Sequence, residues 1–428
     1  MQQINNKMNK HIAKFFNYFS QVESHEIMAT LAAFTMAFVL MASYFILRPV
    51  RDAMASDWSD SELSFLWNLQ FFISIGIVAL YGFIISKIKF KHVVPIVYSS
   101  FAASFLGFYL VTKNLNDSIF VDKAFYIWVS AFSLFHLSVF WSFMSDTFNK
   151  EQGKRLFAII SAGASLGAIV GPMIPALFAD VLGVDNLMLI AAIGLLMVVP
   201  IVLSIYHLKE KQLKNNNVHA DLSQFKLNNS WYSGFKAVIT NRYLISIAAF
   251  ILLYVFIGSF VYFEQKNLLA QYTRPQRAEI LGSIDWIVNS LTFIMAFFIT
   301  GCVVKKFGMA LTLSLMPLLL FFGMIVLAFA PMVIVVLAIQ VTRRVGNYSV
   351  TRLAREMLFT QVTVDERFKA KPVIDIVVYR GGDAISGSLF AALTETLGFG
   401  LLVVSLIGAF IASIWAWLAM KIGYTYEK

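Results

Sequence analysis

The stretch YLISIAAFILLYVFIGSFVYF, Tyr243 to Phe263, contains no charged side chain. The hydrocarbon core of a bilayer is roughly 30 Å thick, so a helix needs about 20 apolar residues to cross it. Nothing in that core hydrogen-bonds to an open backbone, which leaves the helix as the economical way across. This stretch therefore predicts a transmembrane helix. Arg242 stands at one end of it, and Glu264 and Lys266 stand just past the other.

Working outward, the same pattern recurs along the chain. Of 428 residues, 59% are hydrophobic and 14% charged, against roughly 45–50% apolar and about 25% charged in an ordinary soluble domain. Apolar runs of spanning length fall at 27–47, 63–85, 93–112, 124–146, 156–179 and 187–206, and again at 243–263, 280–304, 307–329, 332–355, 373–394 and 399–420. The expected organisation is an N-terminal tail (1–26), a six-helix half (27–206), a polar linker (207–242) with an Asn-rich turn at Asn215–Asn217, a second six-helix half (243–420) and a short tail (421–428). Cys302 is the single cysteine and the six histidines lack ligand spacing, so the reading is of no metal, no cofactor and no internal disulfide. No P-loop, His-Glu metal motif or nucleophile elbow is present, which argues against an enzyme.

The net charge of +10 would suit nucleic acid, but its placement in short loops gives it a topological meaning instead. With the N-terminus inside, 23 of the 34 Lys and Arg fall on the inner side, seven outside and four (Arg343, Arg344, Arg352, Arg380) within spans. Both termini are thus expected in the cytoplasm. No Arg- and Ser-rich transit segment precedes the first span, which points to a bacterial inner membrane. No heptad pattern or soluble partner domain calls for an oligomer, so a monomer is expected.

The two halves also match in detail. Gly82-x3-Ser86-Lys87 follows the second span, and Gly301-x3-Lys305-Lys306-Phe307-Gly308 follows the eighth. Both resemble the loop signature of the major facilitator superfamily, an all-α membrane fold of 12 transmembrane helices in two pseudo-symmetric six-helix halves with the substrate site between them. In the fifth span Gly163, Gly167 and Gly171-Pro172 share a helix face. Helix packing accounts for this spacing; the glycine-rich fifth helix of facilitator antiporters is similar.

Ionisable residues at membrane depth are costly and mark function by default. Arg343 and Arg344 lie eleven and twelve residues after Met332, which at about 1.5 Å per residue is roughly 17 Å into the tenth span. Guanidinium forks match phosphate or carboxylate oxygens and stay charged at any physiological pH, so they point to a small anionic substrate. Arg352 and Arg355 with Glu356 read equally as a charge lattice at the inner end. In the eleventh span Arg380 can pair with Asp383 at i+3, next to Asp375. Glu264 is a candidate for proton or substrate coupling and Asp285 for coupling or gating, although Glu264 reads almost as well as an exposed rim residue. Arg48 and Arg51 flank Pro49 at the end of the first span. His136 reads as a packing residue and Asp146 as part of the inner lattice.

Three stretches resemble the ATP/ADP translocase family: LRPVRD (Leu47–Asp52), FWSFMSDTFNKEQGKRLF (Phe140–Phe157) and TRLAREMLFTQVTVDERFKAKPVIDIVVYRGGD (Thr351–Asp383). The resemblance implies a twelve-helix nucleotide carrier with a few essential charges. Arg51 then stands where the family has a lysine, and Glu264 on its glutamate at the end of the seventh helix. The chain departs from the family in having no acidic residue between Phe125 and Val139, and in carrying Asp383 where the exchangers have a lysine. The expected function is secondary active transport of an anionic, phosphorylated metabolite, a nucleotide among the candidates and exchange among the modes. Arg51, Arg343, Arg344, Arg380 and Glu264 would bind it, with Asp383, Asp285, Glu264 and Arg48 coupling or gating. The alternatives are a proton-coupled carrier of a neutral or zwitterionic solute and a membrane protein handling lipid phosphate.

Overall fold

The structure, a computed structural model, describes residues 22–87, 90–114, 118–213, 233–298, 300–363, 366, 370–371 and 373–427, with backbone alone at 78–87, 90–92, 296–298 and 300–307. The tail lysines Lys7, Lys10 and Lys14, the Asn215–Asn217 turn, the side chains of both Gly-plus-basic loop signatures before Gly308, and Cys302 lie outside the described residues.

Among the described residues all elements are helical: α1 (Ile27–Met54), α2 (Asp60–Lys87), α3 (Phe90–Asn114), α4 (Ile119–Thr147), α5 (Lys150–Leu208), α6 (Ser233–Thr240), α7 (Arg242–Leu269), α8 (Arg274–Phe298), α9 (Thr300–Phe329), α10 (Val333–Gly346), α11 (Arg352–Leu358), α12 (Tyr379–Ala391) and α13 (Leu401–Glu427). Eight helices among the described residues are long and apolar enough to cross a membrane. Of the four by which this falls short of the twelve expected runs, the second run, 63–85, has its side chains described only to Ile77, and the other three have local causes. The fifth and sixth runs form one continuous element, α5, bent where Gly183 adopts φ 76°, a conformation that costs glycine nothing. The tenth and eleventh runs are divided by wide, π-helical turns at Asn347–Thr351, Val373–Val378 and Ala392–Thr396. Such turns cluster at functional sites.

The placement of apolar and charged side chains is inverted relative to a water-soluble protein. Phe65, Phe72, Phe120, Val181, Leu203, Ile334, Phe410 and Trp417 are more than half exposed, while Asp52, Asp60, Asp122, Glu264, Lys266, Arg277, Asp285 and Arg344 are buried. Lipid accepts the first group, and the interior satisfies the second.

By backbone contacts the chain forms two compact units. One gathers residues up to Asp52 with Ile77–Lys226 and Arg274–Trp286; the other gathers Ala53–Gly76, Leu227–Thr273 and Ile287 onward. In the first unit, Gly163, Gly167 and Gly171 of α5 lie against the backbone carbonyls of Phe34, Phe38 and Ala42 of α1, where any Cβ would collide. Gly282 of α8 leaves similar room for the backbone of Pro172 and Ala176. Small residues let the helices approach closely, and dispersion and backbone contact then hold them where hydrophobicity cannot. In the second unit α7 packs on α10, α12 and α13. Two thirds of its most apolar window is buried, the largest share among the eight helices. A helix that is apolar all round belongs in the middle of a bundle.

Candidate functional site

Two clusters of charge form, one in each unit. In the first, Asp52 collects two arginines. The Arg51 Nε and Nη2 atoms donate to Asp52 Oδ1 at 2.9 and 2.7 Å, and Arg48 Nε lies 3.8 Å from Asp52 Oδ2. Arg48 Nη1 also lies 3.6 Å from Asp285 Oδ1. Arg51 Nη1 donates to Ser130 Oγ at 3.2 Å, with the guanidinium over the Tyr126 ring at 5.4 Å. The sequence singled out Arg48, Arg51 and Asp285 separately. The fold brings them together and adds Asp52, Ser130 and Tyr126. The helix period does part of this, since Arg48 and Asp52 sit one turn apart on α1. Further pairs knit the same unit: Arg155 to Glu26 at 2.8 Å, Arg274 to Asp122 at 2.7 Å and Lys209 to Asp146 at 2.9 Å. His136 stacks on Tyr44, ring centroids 4.5 Å apart.

The second cluster is built differently. Arg343, in the last turn of α10, donates from Nε and Nη2 to Gln340 Oε1 at 3.0 and 2.8 Å and from Nη1 to Tyr254 OH at 3.3 Å. Its guanidinium also lies over the Tyr254 ring, 5.7 Å from the centroid. A Cβ at Gly258 of α7 would stand 2.7 Å from Arg343 Nη1, so the glycine opens the space that the side chain enters. Among the described residues, no carboxylate comes within ion-pairing distance of Arg343. Asp383 acts on it at longer range and is itself 3.6 Å from Arg380. Arg344 is buried beside it. Tyr379 on α12 faces Tyr254, ring centroids 6.4 Å apart. Tyr348, in the wide turn after α10, lies within electrostatic reach of both tyrosines.

Arg343, Arg344, Arg380 and Asp383 thus share one locality, and Tyr254, Tyr379 and Gln340 join them. Nothing in hydropathy marks those three. Arg355 pairs with Glu356 at 3.3 Å and Asp375 at 3.4 Å, and Lys371 with Glu356 at 2.5 Å. Burial tends to raise the Glu356 carboxyl, but Lys371 and Arg355 outweigh it and hold the group below the usual range. That set is a charge lattice.

Glu264 does not reach the arginines. It lies ten residues beyond Tyr254 on α7, about 15 Å along the axis. The expectation of an exposed rim position is corrected: its exposure is 0%, because α13 packs over that face and Ser405 Oγ donates to Glu264 Oε1 at 2.7 Å. Nearby, Lys266 pairs with Asp60 at 2.7 Å and donates to the Trp58 carbonyl at 2.7 Å. Glu395 Oε1 accepts the backbone N–H of Asp60 at 2.6 Å and of Ser61 at 3.1 Å, which caps the start of α2.

A helical, lipid-facing molecule with buried arginines invites comparison with membrane carriers. The ADP,ATP carrier protein 4 of Rickettsia bellii is 22% identical, covering 99% of this chain and 95% of its own. The ADP,ATP carrier protein 1 of Chlamydia pneumoniae is 21% identical over 96% of this chain and 94% of its own. The solved structure of the nucleoside transporter NupG superposes with a TM-score of 0.61 at 14% identity, covering 94% of this chain and 99% of the other. The description of the Major Facilitator Superfamily matches residues 33–351. A multi-pass helical protein whose relatives are membrane transporters rather than enzymes, and which matches that description over most of its length, belongs to the Major Facilitator Superfamily.

Proposed function

We propose that the chain is a secondary transporter moving an anionic, phosphorylated small metabolite by alternating access of two six-helix halves, 27–206 and 243–420, joined by the linker 207–242. One observation carries the reading. Arg343 is a permanent cation inside a membrane helix, held in place by neutral groups and by no carboxylate ion pair among the described residues. An ion pair would fix its geometry and cancel its charge. Neutral donors and acceptors fix the geometry and leave the charge available. A carrier of neutral solute has no use for such a group.

Arg344 and Arg380 supply further positive charge on the same side of the unit, and the Tyr254 and Tyr379 rings offer flat faces on which an aromatic base can stack. A nucleotide combines both features, and the similarity to proteins named as ADP,ATP carriers supports that choice. The Lys and Arg distribution supports cytoplasmic termini, in a bacterial inner membrane, with the monomer as the working unit. Asp383 and Asp285 are the gating groups of this reading, since each is tied to an arginine that substrate arrival would compete for.

A thermal-shift screen of the purified protein against ATP, ADP, other nucleotides, sugar phosphates and inorganic phosphate tests the proposal, because a ligand that binds the folded state raises its stability by mass action. Stabilisation by an anion in wild type and its loss in Arg343→Gln is the expected result. Silence toward every anion, or an equal response in Arg343→Gln, overturns it.

A further inference from the structure

Glu264 stands apart from both clusters. Its carboxyl is completely buried, Oε1 accepts one hydrogen bond from Ser405 Oγ at 2.7 Å, and Oε2 has no hydrogen-bond partner among the described residues. Among the described residues of its unit, the charges around it are committed elsewhere or of the wrong sign. Lys266 is two residues on along α7, so it leaves the helix on a different face, and it is held by Asp60 and the Trp58 carbonyl. On α12 Arg380 and Asp383 face each other. Beyond α12, Glu395 is engaged by the amides of Asp60 and Ser61. On α10, Arg343 and Arg344 lie near Tyr254, about 15 Å away along α7. α13 carries no charged residue before Lys421. Asp57, in the short turn that packs on α7, is exposed and acidic.

An ionised carboxylate without a cation or a set of donors is among the most costly groups to bury, and it neutralises itself by taking up a proton. One hydroxyl donor, with the second oxygen unengaged, is the environment of a carboxylic acid that gives and takes a proton. We propose that Glu264, oriented by Ser405, is a proton-binding site that couples proton movement to substrate transport. The inference rests on the transporter reading above and adds the coupling ion to it. The O–H bond forms with a proton drawn from water on one side of the membrane and breaks with its release on the other, so one proton crosses per cycle and the carboxyl is regenerated. For an anionic cargo the benefit is electrical. A proton carried in the same direction cancels one negative charge that would otherwise move against a negative-inside potential.

Two measurements decide it. Infrared difference spectroscopy of the purified protein in lipid films needs no substrate. At neutral pH the wild type should show a protonated carboxylic-acid carbonyl band that shifts in heavy water. That band should vanish in Glu264→Gln and move in Ser405→Ala, which keeps the acid but removes its donor. A band that survives in Glu264→Gln, or no such band in wild type, overturns the site, whatever the cargo proves to be. In proteoliposomes an acid-outside gradient should raise the initial uptake of radiolabelled ADP, and the ratio of uptake with and without the gradient should fall to unity in Glu264→Gln. A ratio unchanged in that variant removes coupling from Glu264. If wild type takes up no ADP while the infrared band behaves as expected, the nucleotide reading fails and the proton site stands.

Discussion

The arginines of the two units occupy opposite electrostatic situations. Arg48 and Arg51 converge on Asp52, with Asp285 and Ser130 completing the set, and Arg155 is forked onto Glu26. Arg343 is held by an amide oxygen and a phenol. A paired arginine spends much of its charge on its partner and frees it only when the pair opens, as proposed for Arg48 and Arg380. An arginine solvated by neutral groups retains its attraction for an outside anion. Residue type is shared by the two sets, so the identity of the partner separates architecture from site.

The largest expected effect probes the paired side of this contrast. Removing one member of a buried pair leaves an uncompensated charge and costs roughly 3–5 kcal/mol. Asp52→Asn takes an ion-pair partner from two arginines at once, Arg48 keeping Asp285, so the variant should show a lowered melting temperature and poor recovery as monodisperse protein. The double variant Arg51→Gln/Asp52→Asn should regain part of the loss, and the non-additivity measures the coupling directly. Equal stability of Asp52→Asn and wild type would mean that the pair is not structural, and the contrast would break.

Next in size is the unpaired side. Arg343→Gln removes a charge-assisted contact to the proposed anion, worth about 1.5–3 kcal/mol, or roughly a 10–100-fold loss of affinity. Because no carboxylate is left stranded, its melting temperature without ligand should stay close to wild type. Arg51→Gln should do the reverse, with a falling melting temperature and little change in the affinity that remains. A finer cut is Tyr254→Phe. It keeps the ring under the guanidinium and removes one hydrogen bond, about 0.5–1.5 kcal/mol. Anion affinity should weaken by less than in Arg343→Gln, and titration of the labelled anion against both variants gives the order.

Much of the architecture is legible before any coordinates, because the bilayer imposes one simple rule on chain length and polarity. The apolar runs fall on helices, and the uncharged run Tyr243–Phe263 lies in α7, which packs on α10, α12 and α13 of its unit. The breaks are less legible. Gly183 bends α5 without ending it, and the wide turn at Asn347–Thr351 follows Arg343 and Arg344 with no proline to announce it. The charges themselves stand out against an apolar background, but their partners do not. That Arg51 meets Ser130 across 79 positions, while Arg343 meets Gln340 one turn away and Tyr254 across 89, is decided by helix packing. Periodicity gives only the local half of each set. The burial of Glu264 depends on α13, whose Ser405 lies 141 residues later in the chain, which is why a rim position read almost as well.

The smallest expected effect concerns Glu395, whose charge is satisfied without any arginine. Burial tends to raise its carboxyl, but the Ser61 and Asp60 hydrogen bonds and the Lys266 charge outweigh it, so the group is held below the ordinary value of 4.5. A depressed folded-state value means that the ionised form stabilises the fold. That contribution is complete above the ordinary value and fades as the pH falls below it through the folded value. A carboxylate at the start of α2 also meets the positive end of the helix dipole, which salt screens. Glu395→Gln should therefore lower the melting temperature slightly at neutral pH and low salt. The difference from wild type should narrow at high salt and narrow again as the pH drops below about 4.5. Anion affinity should be unchanged throughout, since Glu395 caps a helix and lies outside the Arg343 locality. A shift in affinity instead would join the Asp60–Lys266–Glu395 network to the substrate site, and the division between paired and unpaired charge would have to be drawn elsewhere in the second unit.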